Sequence, residues 1–191
     1  MRHFYVARHG EDVDNASGVF NGRRNTPLTR KGILQARELA ENLKKHPDID
    51  IGWIFCSPLQ RARETAKIVA DKLFTRYIVI DSLTEMNYGI LEGEPISDVP
   101  KLAKSWSGSE DKFWYVLDVE GGESYLEVHL RTEIVLPEII RIAEKLKIPN
   151  DILIISHGTV IKSLEVVHKG LPWESVFETG FLGNCQFKKL E

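Results

Sequence analysis

At 191 residues the chain is the length of one domain with room for an inserted lobe, and at this size roughly 70% of the unfolded surface is buried without covalent staples. Apolar residues make up 42% and charged residues 28%, the balance of an ordinary soluble globular protein. The formal net charge of -3 argues against a general nucleic-acid binder, which is usually basic, while leaving room for a small basic pocket.

Residues 3 to 7 predict a first strand, which runs directly into Arg8-His9-Gly10-Glu11. Ligands of open α/β folds bind at the carboxyl ends of strands, and Gly10 lets the backbone turn there. An arginine beside a histidine at such an exit suggests a site for an anion and a nucleophile. Residues 10 to 28 are expected to form a long loop, and long loops in compact domains tend to carry function. Thr29 is the expected N-cap of a helix with Ile33, Ala36, Leu39, Ala40 and Leu43 at helical spacing, ended by His46-Pro47. Trp53 to Cys56 predicts a short buried strand. Ser57-Pro58-Leu59-Gln60 reads as a complete capping box, opening a helix with Ala62, Ala66, Val69 and Leu73 on its apolar face. Arg61 then lies in the first turn, where the helix dipole disfavours a cation by up to ~1 kcal/mol. A bound anion at the same helix end would remove that conflict; a solvated arginine is the plainer alternative.

Tyr77 to Ile80 predicts a third strand, followed by Glu85 in the segment leaving it. Residues 91 to 122 have no clean period and are broken by Gly93, Pro95, Pro100, Gly108, Gly121 and Gly122. With Trp106, Phe113, Trp114 and Tyr115 set among charges, this stretch reads as a cap-like insertion of short helices over a site. Those aromatics could equally form the lobe's own core. Ser124-Tyr125-Leu126-Glu127 is a second capping box, and its helix is expected to kink near Pro137. Ile152 to Ile155 is the most hydrophobic strand, and it too runs into a histidine and a glycine, as Ser156-His157-Gly158. A helix over Thr159 to Lys169 and a closing strand within Gly183 to Leu190 complete the chain. Cys56 and Cys185 are far apart and are expected to be reduced. No apolar run approaches the ~20 residues that span a bilayer, and no signal-peptide core is present, so the expected location is cytoplasmic, with no membrane or nucleic-acid partner.

Strands alternating with helices imply an α/β fold: a three-layer α/β/α sandwich with a mainly parallel central sheet, residues 1–191 forming one domain, and a small lobe at about 91–122 over the strand C-terminal ends. Strand exits in such a sheet share one edge, which brings Arg8, His9, the Arg61 helix start, the Glu85 loop and His157 within reach of one another. Two histidines and two arginines without a carboxylate ligand set favour an anion over a metal. A zinc site would show closely spaced ligands, and neither H-E-x-x-H nor paired cysteines occur. No metal and no other cofactor is expected.

In these residues the chain resembles the histidine phosphatase superfamily, which includes the cofactor-dependent phosphoglycerate mutases. The resemblance rests on Arg8-His9-Gly10-Glu11 with Asn15, Asn21-Gly22, Pro27-Leu28-Thr29-Arg30-Lys31-Gly32, Ser57-Pro58-Leu59-Gln60-Arg61-Ala62 with Thr65-Ala66, Glu85 with Gly89 and Glu92-Gly93, Gly121-Gly122-Glu123-Ser124, and Ser156-His157-Gly158. It implies a nucleophilic His9 that takes the phosphoryl group. Arg8, Arg61 and His157 would hold the phosphoryl oxygens. Asn15 would add a donor, and the Asn21-Gly22 turn would offer backbone N–H groups. Glu85 matches the general acid, which requires a pKa above the ~4.3 of a free glutamate. His3, His46, His129 and His168 match no motif.

Two departures stand out. Asp12 occupies a position where threonine is common, which is expected to add negative charge near the pocket mouth. Arg23-Arg24 follows Asn21-Gly22, and suits either a substrate with a second anionic group or a solvated charge pair. Mutases of the family are longer and carry extra arginines in their insertion, whereas residues 94 to 122 here contain only Lys101, Lys104 and Lys112. The expected activity is therefore hydrolysis of a small phosphorylated metabolite by a metal-independent phosphomonoesterase. A phosphoglycerate mutase-like phosphotransferase is the alternative, and a non-catalytic phospho-ligand binder a third reading that the complete set of motif residues disfavours.

Overall fold

The computed structural model describes residues 2–107 and 115–191. Strand β1 (Phe4–Arg8) leads into a short helix α1 (Val13–Ser17), then α2 (Arg30–Lys45) and β2 (Ile51–Cys56). Helix α3 (Gln60–Leu73) and strand β3 (Arg76–Val79) follow. After single turns of 3-10 helix come α4 (Val99–Leu102) and a hairpin of β4 (Ser105–Ser107) with β5 (Tyr115–Asp118). Helices α5 (Tyr125–Glu133) and α6 (Val135–Lys145), strand β6 (Asp151–Ser156), helix α7 (Gly158–His168) and strand β7 (Phe187–Lys189) complete it.

The main sheet runs β3-β2-β6-β1-β7, with every pairing parallel except that of β1 with β7. Successive side chains on a strand point to opposite faces, and this alternation builds two cores. Val6, Phe55, Ile152 and Ile154 pack with Val128 of α5, Ile139 of α6 and Leu164 of α7 on one face. Tyr5, Ala7, Ile54, Leu153 and Ile155 pack with Leu39 of α2 and Val69 of α3 on the other. The result is a mostly parallel sheet with helices on both faces. Strand β6 is buried along its whole length, which accounts for its near-continuous hydrophobicity. Cys56 and Cys185 are free thiols buried in the second core, where burial pushes both pKa values up to about 12.

Local expectations hold in part. Thr29 caps α2 by accepting from the Gly32 amide, and Ser124 with Glu127 forms the reciprocal capping box of α5. Ser57 is not the N-cap of α3: the helix starts at Gln60 behind Leu59, which makes no side-chain cap, and the Ser57 hydroxyl accepts from the Leu59 amide at 3.2 Å while meeting His157. Residues 10 to 28 are not all loop, because Asp12 nucleates α1 within them. The helix begun at Ser124 is interrupted at Ile134, and Pro137 sits in the first turn of α6, where its missing N–H leaves no bond unmade. In the 91–122 segment a hairpin accompanies the expected short helices. Leu91, Val99, Ala103 and Val119 of that segment join the first core rather than a core of their own. Trp106 is 39% exposed, while Phe113 and Trp114 lie outside the described residues.

Candidate active site

Parallel pairing sets Arg8 of β1 beside Ser156 of β6, so the residues that follow, His9 and His157, emerge side by side. Their ring centroids are 5.0 Å apart. The His9 amide donates to the Ser156 carbonyl at 3.0 Å, and the Gly10 amide to Thr65 Oγ1 at 3.0 Å. A side chain at Gly10 would collide with the Gly32 backbone, so paired glycines let the start of α2 close against the exit of β1. The His9 ring is buried and polarised: Nδ1 donates to the Gly10 carbonyl at 2.8 Å, and Nε2 accepts from Arg61 Nε at 3.2 Å. Burial first, and then the Arg61 and Arg8 guanidinium groups, hold its pKa well below the ordinary imidazole value. His9 is therefore neutral, with its lone pair on Nε2.

Arg61 is completely buried at the α3 N-terminus. Its Nη1 donates to the Arg24 carbonyl and its Nη2 to the Gly22 carbonyl, each at 2.7 Å. Arg8 Nη1 donates to the Leu182 carbonyl at 3.2 Å. Backbone carbonyls hold both forks, and Arg61 Nε also stands 3.5 Å from Asp12 Oδ2. His157 is fully buried, with Nε2 2.7 Å from Ser57 Oγ and Nδ1 without a hydrogen-bond partner among the described residues. Burial, followed by Arg61, keeps this ring neutral as well.

Glu85 reaches the same edge from the far side. Ser156 Oγ donates to the Leu83 carbonyl at 2.8 Å, tying the turn before Glu85 to the end of β6. Glu85 Oε1 accepts from the Met86 amide at 2.8 Å, and Oε2 faces the Thr159 amide at 3.4 Å. Burial raises its pKa against the opposing pull of the Met86 amide, Arg61, Arg131 and Arg8. A buried carboxyl within the field of two arginines, and biased toward its protonated form, is the geometry of a proton donor.

Asn15 lies at the rim of this cluster. Its side-chain oxygen accepts from Asn184 Nδ2 at 3.2 Å. Asn21 instead donates to Asp12 Oδ2 at 2.8 Å. Gly22 contributes a carbonyl to Arg61 where backbone N–H groups were expected. Its φ of +45° favours glycine, and a side chain there would strike the Glu92 carboxylate. Arg23 and Arg24 are exposed, and each is paired with a carboxylate: Arg23 Nη2 meets Glu123 at 2.9 Å, and Arg24 Nε meets Asp14 at 2.8 Å. Arg131 shares Glu123 at 3.1 Å.

Three contributors escape sequence reasoning. Asp12 is not at the pocket mouth but fully buried beneath it. Ser57 carries a capping signature that conceals its bond to His157. Asn184 Nδ2 also donates to the His9 carbonyl at 3.0 Å, from a Gly-Asn-Cys turn whose only signal was its turn-forming composition.

Known proteins resemble the chain in sequence and in fold. The family model "Histidine phosphatase superfamily (branch 1)" matches residues 4–191. A probable phosphoglycerate mutase, GpmB, of Enterobacter sp. (strain 638) is 31% identical over 177 residues, covering 90% of this chain and 77% of that protein. The α-ribazole phosphatase of Shigella flexneri superposes with a TM-score of 0.76 at 28% identity, over 98% of this chain and 89% of its own. A mycobacterial glucosyl-3-phosphoglycerate phosphatase shares the fold with a TM-score of 0.81 at 22% identity, over 99% of this chain and 90% of its own. With strand-end histidines, buried arginines and a match that spans the described sheet from its first strand to its last, the chain belongs to the histidine phosphatase superfamily, branch 1, whose enzymes are phosphatases or mutases.

Proposed function

We propose that the protein is a phosphomonoesterase that works through a phosphohistidine on His9. The observation that carries this reading is the His9 ring: buried and neutral, with Nδ1–H on the Gly10 carbonyl and the Nε2 lone pair directed at Arg61. Arg61 and Arg8 grip the phosphoryl oxygens that approach Nε2, and the unpartnered Nδ1 of His157 supplies a further donor. The Nε2 lone pair forms the N–P bond while the P–O bond to the leaving group breaks. Glu85 gives that oxygen its proton. Water then attacks phosphorus and gives a proton to Glu85, the N–P electron pair returns to Nε2, and phosphate leaves.

Hydrolysis is favoured over mutase chemistry by the charge pairing at the rim. Arg23, Arg24 and Arg131 are each engaged by a carboxylate, so they are poorly disposed to grip the second acidic group of a phosphoglycerate. The mutase reading draws its support from the naming of the curated relatives. Incubation with 3-phosphoglycerate and a trace of 2,3-bisphosphoglycerate separates the two: phosphate release is expected, and rapid 2-phosphoglycerate formation with little free phosphate overturns the proposal. His9→Ala is expected to abolish both turnover and labelling by phosphoryl donors. Unchanged activity in that variant would refute His9 as nucleophile.

A further inference from the structure

Asp12 belongs to none of the roles assigned above, yet its carboxylate is completely buried at the base of the site. Five N–H donors lie around it. Oδ1 accepts from the Asp14 amide at 2.9 Å and the Asn15 amide at 3.0 Å, capping α1. Oδ2 accepts from Asn21 Nδ2 at 2.8 Å, and lies 3.5 Å from Arg61 Nε and 3.7 Å from His9 Nδ1. A threonine can also cap a helix, but it would bring no charge and no second acceptor to the histidine and arginine.

We propose that Asp12 is a positioning residue whose carboxylate orients Arg61 and His9 and balances the positive charge that the His9 ring acquires on phosphorylation. The proposal rests on the phosphohistidine reading. When Nε2 forms its bond to phosphorus, the P–O bond breaks and the proton of Glu85 goes to the leaving oxygen. The ring retains its Nδ1 proton and becomes cationic. Arg8 and Arg61 favour the neutral nucleophile and, by the same field, oppose this phosphorylated ring. The nearby Asp12 charge offsets that penalty. Burial, with a smaller push from the Asp14 charge, raises the Asp12 pKa, whereas the Asn15 amide, Arg61 and the Asp14 amide lower it. The five N–H groups around the carboxylate favour its ionised form against that burial. Asp14 is itself engaged by Arg24. Because Nδ1 bonds first to Gly10 and stands 3.7 Å from Asp12, the expected effect is well below the ~10,000-fold seen for a directly bonded histidine–aspartate pair.

The test compares the wild type with Asp12→Asn, which keeps a capping oxygen, and with Asp12→Thr. Rapid quench with 32P-labelled phosphomonoester would follow phosphoenzyme formation, and NMR would follow His9 titration. Both variants are expected to form phosphoenzyme about 10-fold or more slowly, with KM altered less than about threefold. The His9 titration should move to lower pH, since His9 then faces Arg8, Arg61 and the neutral His157 with no carboxylate beside Nδ1. A variant of native melting temperature with unchanged labelling rate and His9 titration would reduce Asp12 to a helix cap and overturn the proposal. If Asp12→Asn fails to fold, Asp12→Thr decides by the same two readouts. A wild type that never traps label sinks the phosphohistidine reading instead, and the two failures are thereby told apart.

Discussion

Two sets of arginines surround the strand exits, and they are held in opposite ways. The inner pair, Arg8 and Arg61, is gripped by backbone carbonyls of Leu182, Arg24 and Gly22. The outer set, Arg23, Arg24 and Arg131, is matched to the carboxylates of Glu123 and Asp14. A carbonyl fixes the direction of a guanidinium without removing its formal charge, whereas a carboxylate neutralises it. The inner region thus keeps a field suited to a phosphoryl group and moderated by the buried carboxyl groups of Asp12 and Glu85. The outer region spends its cations on shape. On the proposed reading the anion sits at the inner depth, so variants there should cost more than variants at the rim.

The largest effect is expected where the inner geometry is broken. Arg61→Lys keeps the charge but cannot maintain the bonds to Arg24, Gly22 and His9 together, because an ammonium lacks the planar fork. The measured kcat/KM should fall about 1,000-fold or more, the scale associated with an arginine that stabilises phosphoryl transfer. A loss below about 10-fold, measured on protein of native melting temperature, would show that charge alone suffices and that the carbonyl grip is incidental.

Glu85→Gln probes the acid that shares the inner field. Proton donation matters most for poor leaving groups, so hydrolysis of an alkyl phosphate should fall on the order of 100-fold or more. With p-nitrophenyl phosphate the first step needs no proton, and a burst of nitrophenolate should survive in stopped-flow traces. Because burial raises the Glu85 pKa, the wild-type alkyl-phosphate rate should hold above pH 4.5 and decline only as pH passes the raised value. Equal losses in the phosphorylation step itself, read as the nitrophenolate burst and as single-turnover labelling by the alkyl phosphate, would remove Glu85 from the leaving-group step.

The inner region was also the more legible in sequence, and the reason is physical. Arg8-His9 and His157 end strands whose hydrophobic runs announce them, and parallel pairing then leaves those exits little freedom. Arg61 declared itself by sitting against the dipole of its own helix. Asp12, Ser57 and Asn184 were hidden because helix caps and turns select the same small polar residues that orient active-site groups. Ser57 satisfied every sequence requirement of a capping box and still spends its hydroxyl on His157. The rim pairs were hidden for another reason: Arg23 and Glu123 are joined only by the closing of the fold.

The buried histidines also leave a signature in stability. Their folded pKa values lie below the unfolded value of 6.5, so below that pH the unfolded chain binds protons that the native one does not. Their contribution is complete above pH 6.5 and is lost as pH falls, by about 1.4 kcal/mol per pH unit for each histidine. Asp12 and Glu85, whose folded pKa values are raised, act with the opposite sign above their unfolded values. The difference between wild type and His157→Gln in denaturant titrations from pH 7 to 5 therefore isolates one histidine. A difference that does not change with pH would mean that folding does not lower the His157 pKa.

The smallest effect tests whether the outer set can be made to resemble the inner one. Glu123→Gln removes the carboxylate shared by Arg23 and Arg131 while leaving an oxygen for the Asn87 amide. Both arginines then keep their positions but lose their counter-charge. Arg131 lies within the electrostatic reach of Glu85 and His157, so the released charge is felt inside the pocket. Partly exposed pairs of this kind are worth roughly 1 kcal/mol or less, which corresponds to a change in KM of at most about fivefold. That change should appear as tighter use of 3-phosphoglycerate, with a second acidic group, and not for a phosphomonoester whose remainder is neutral. A uniform change for both substrates would mean that the rim carboxylate acts on the phosphoryl cradle itself, and the division into an inner and an outer region would have to be redrawn around Glu85, whose backbone carbonyl Arg23 already holds.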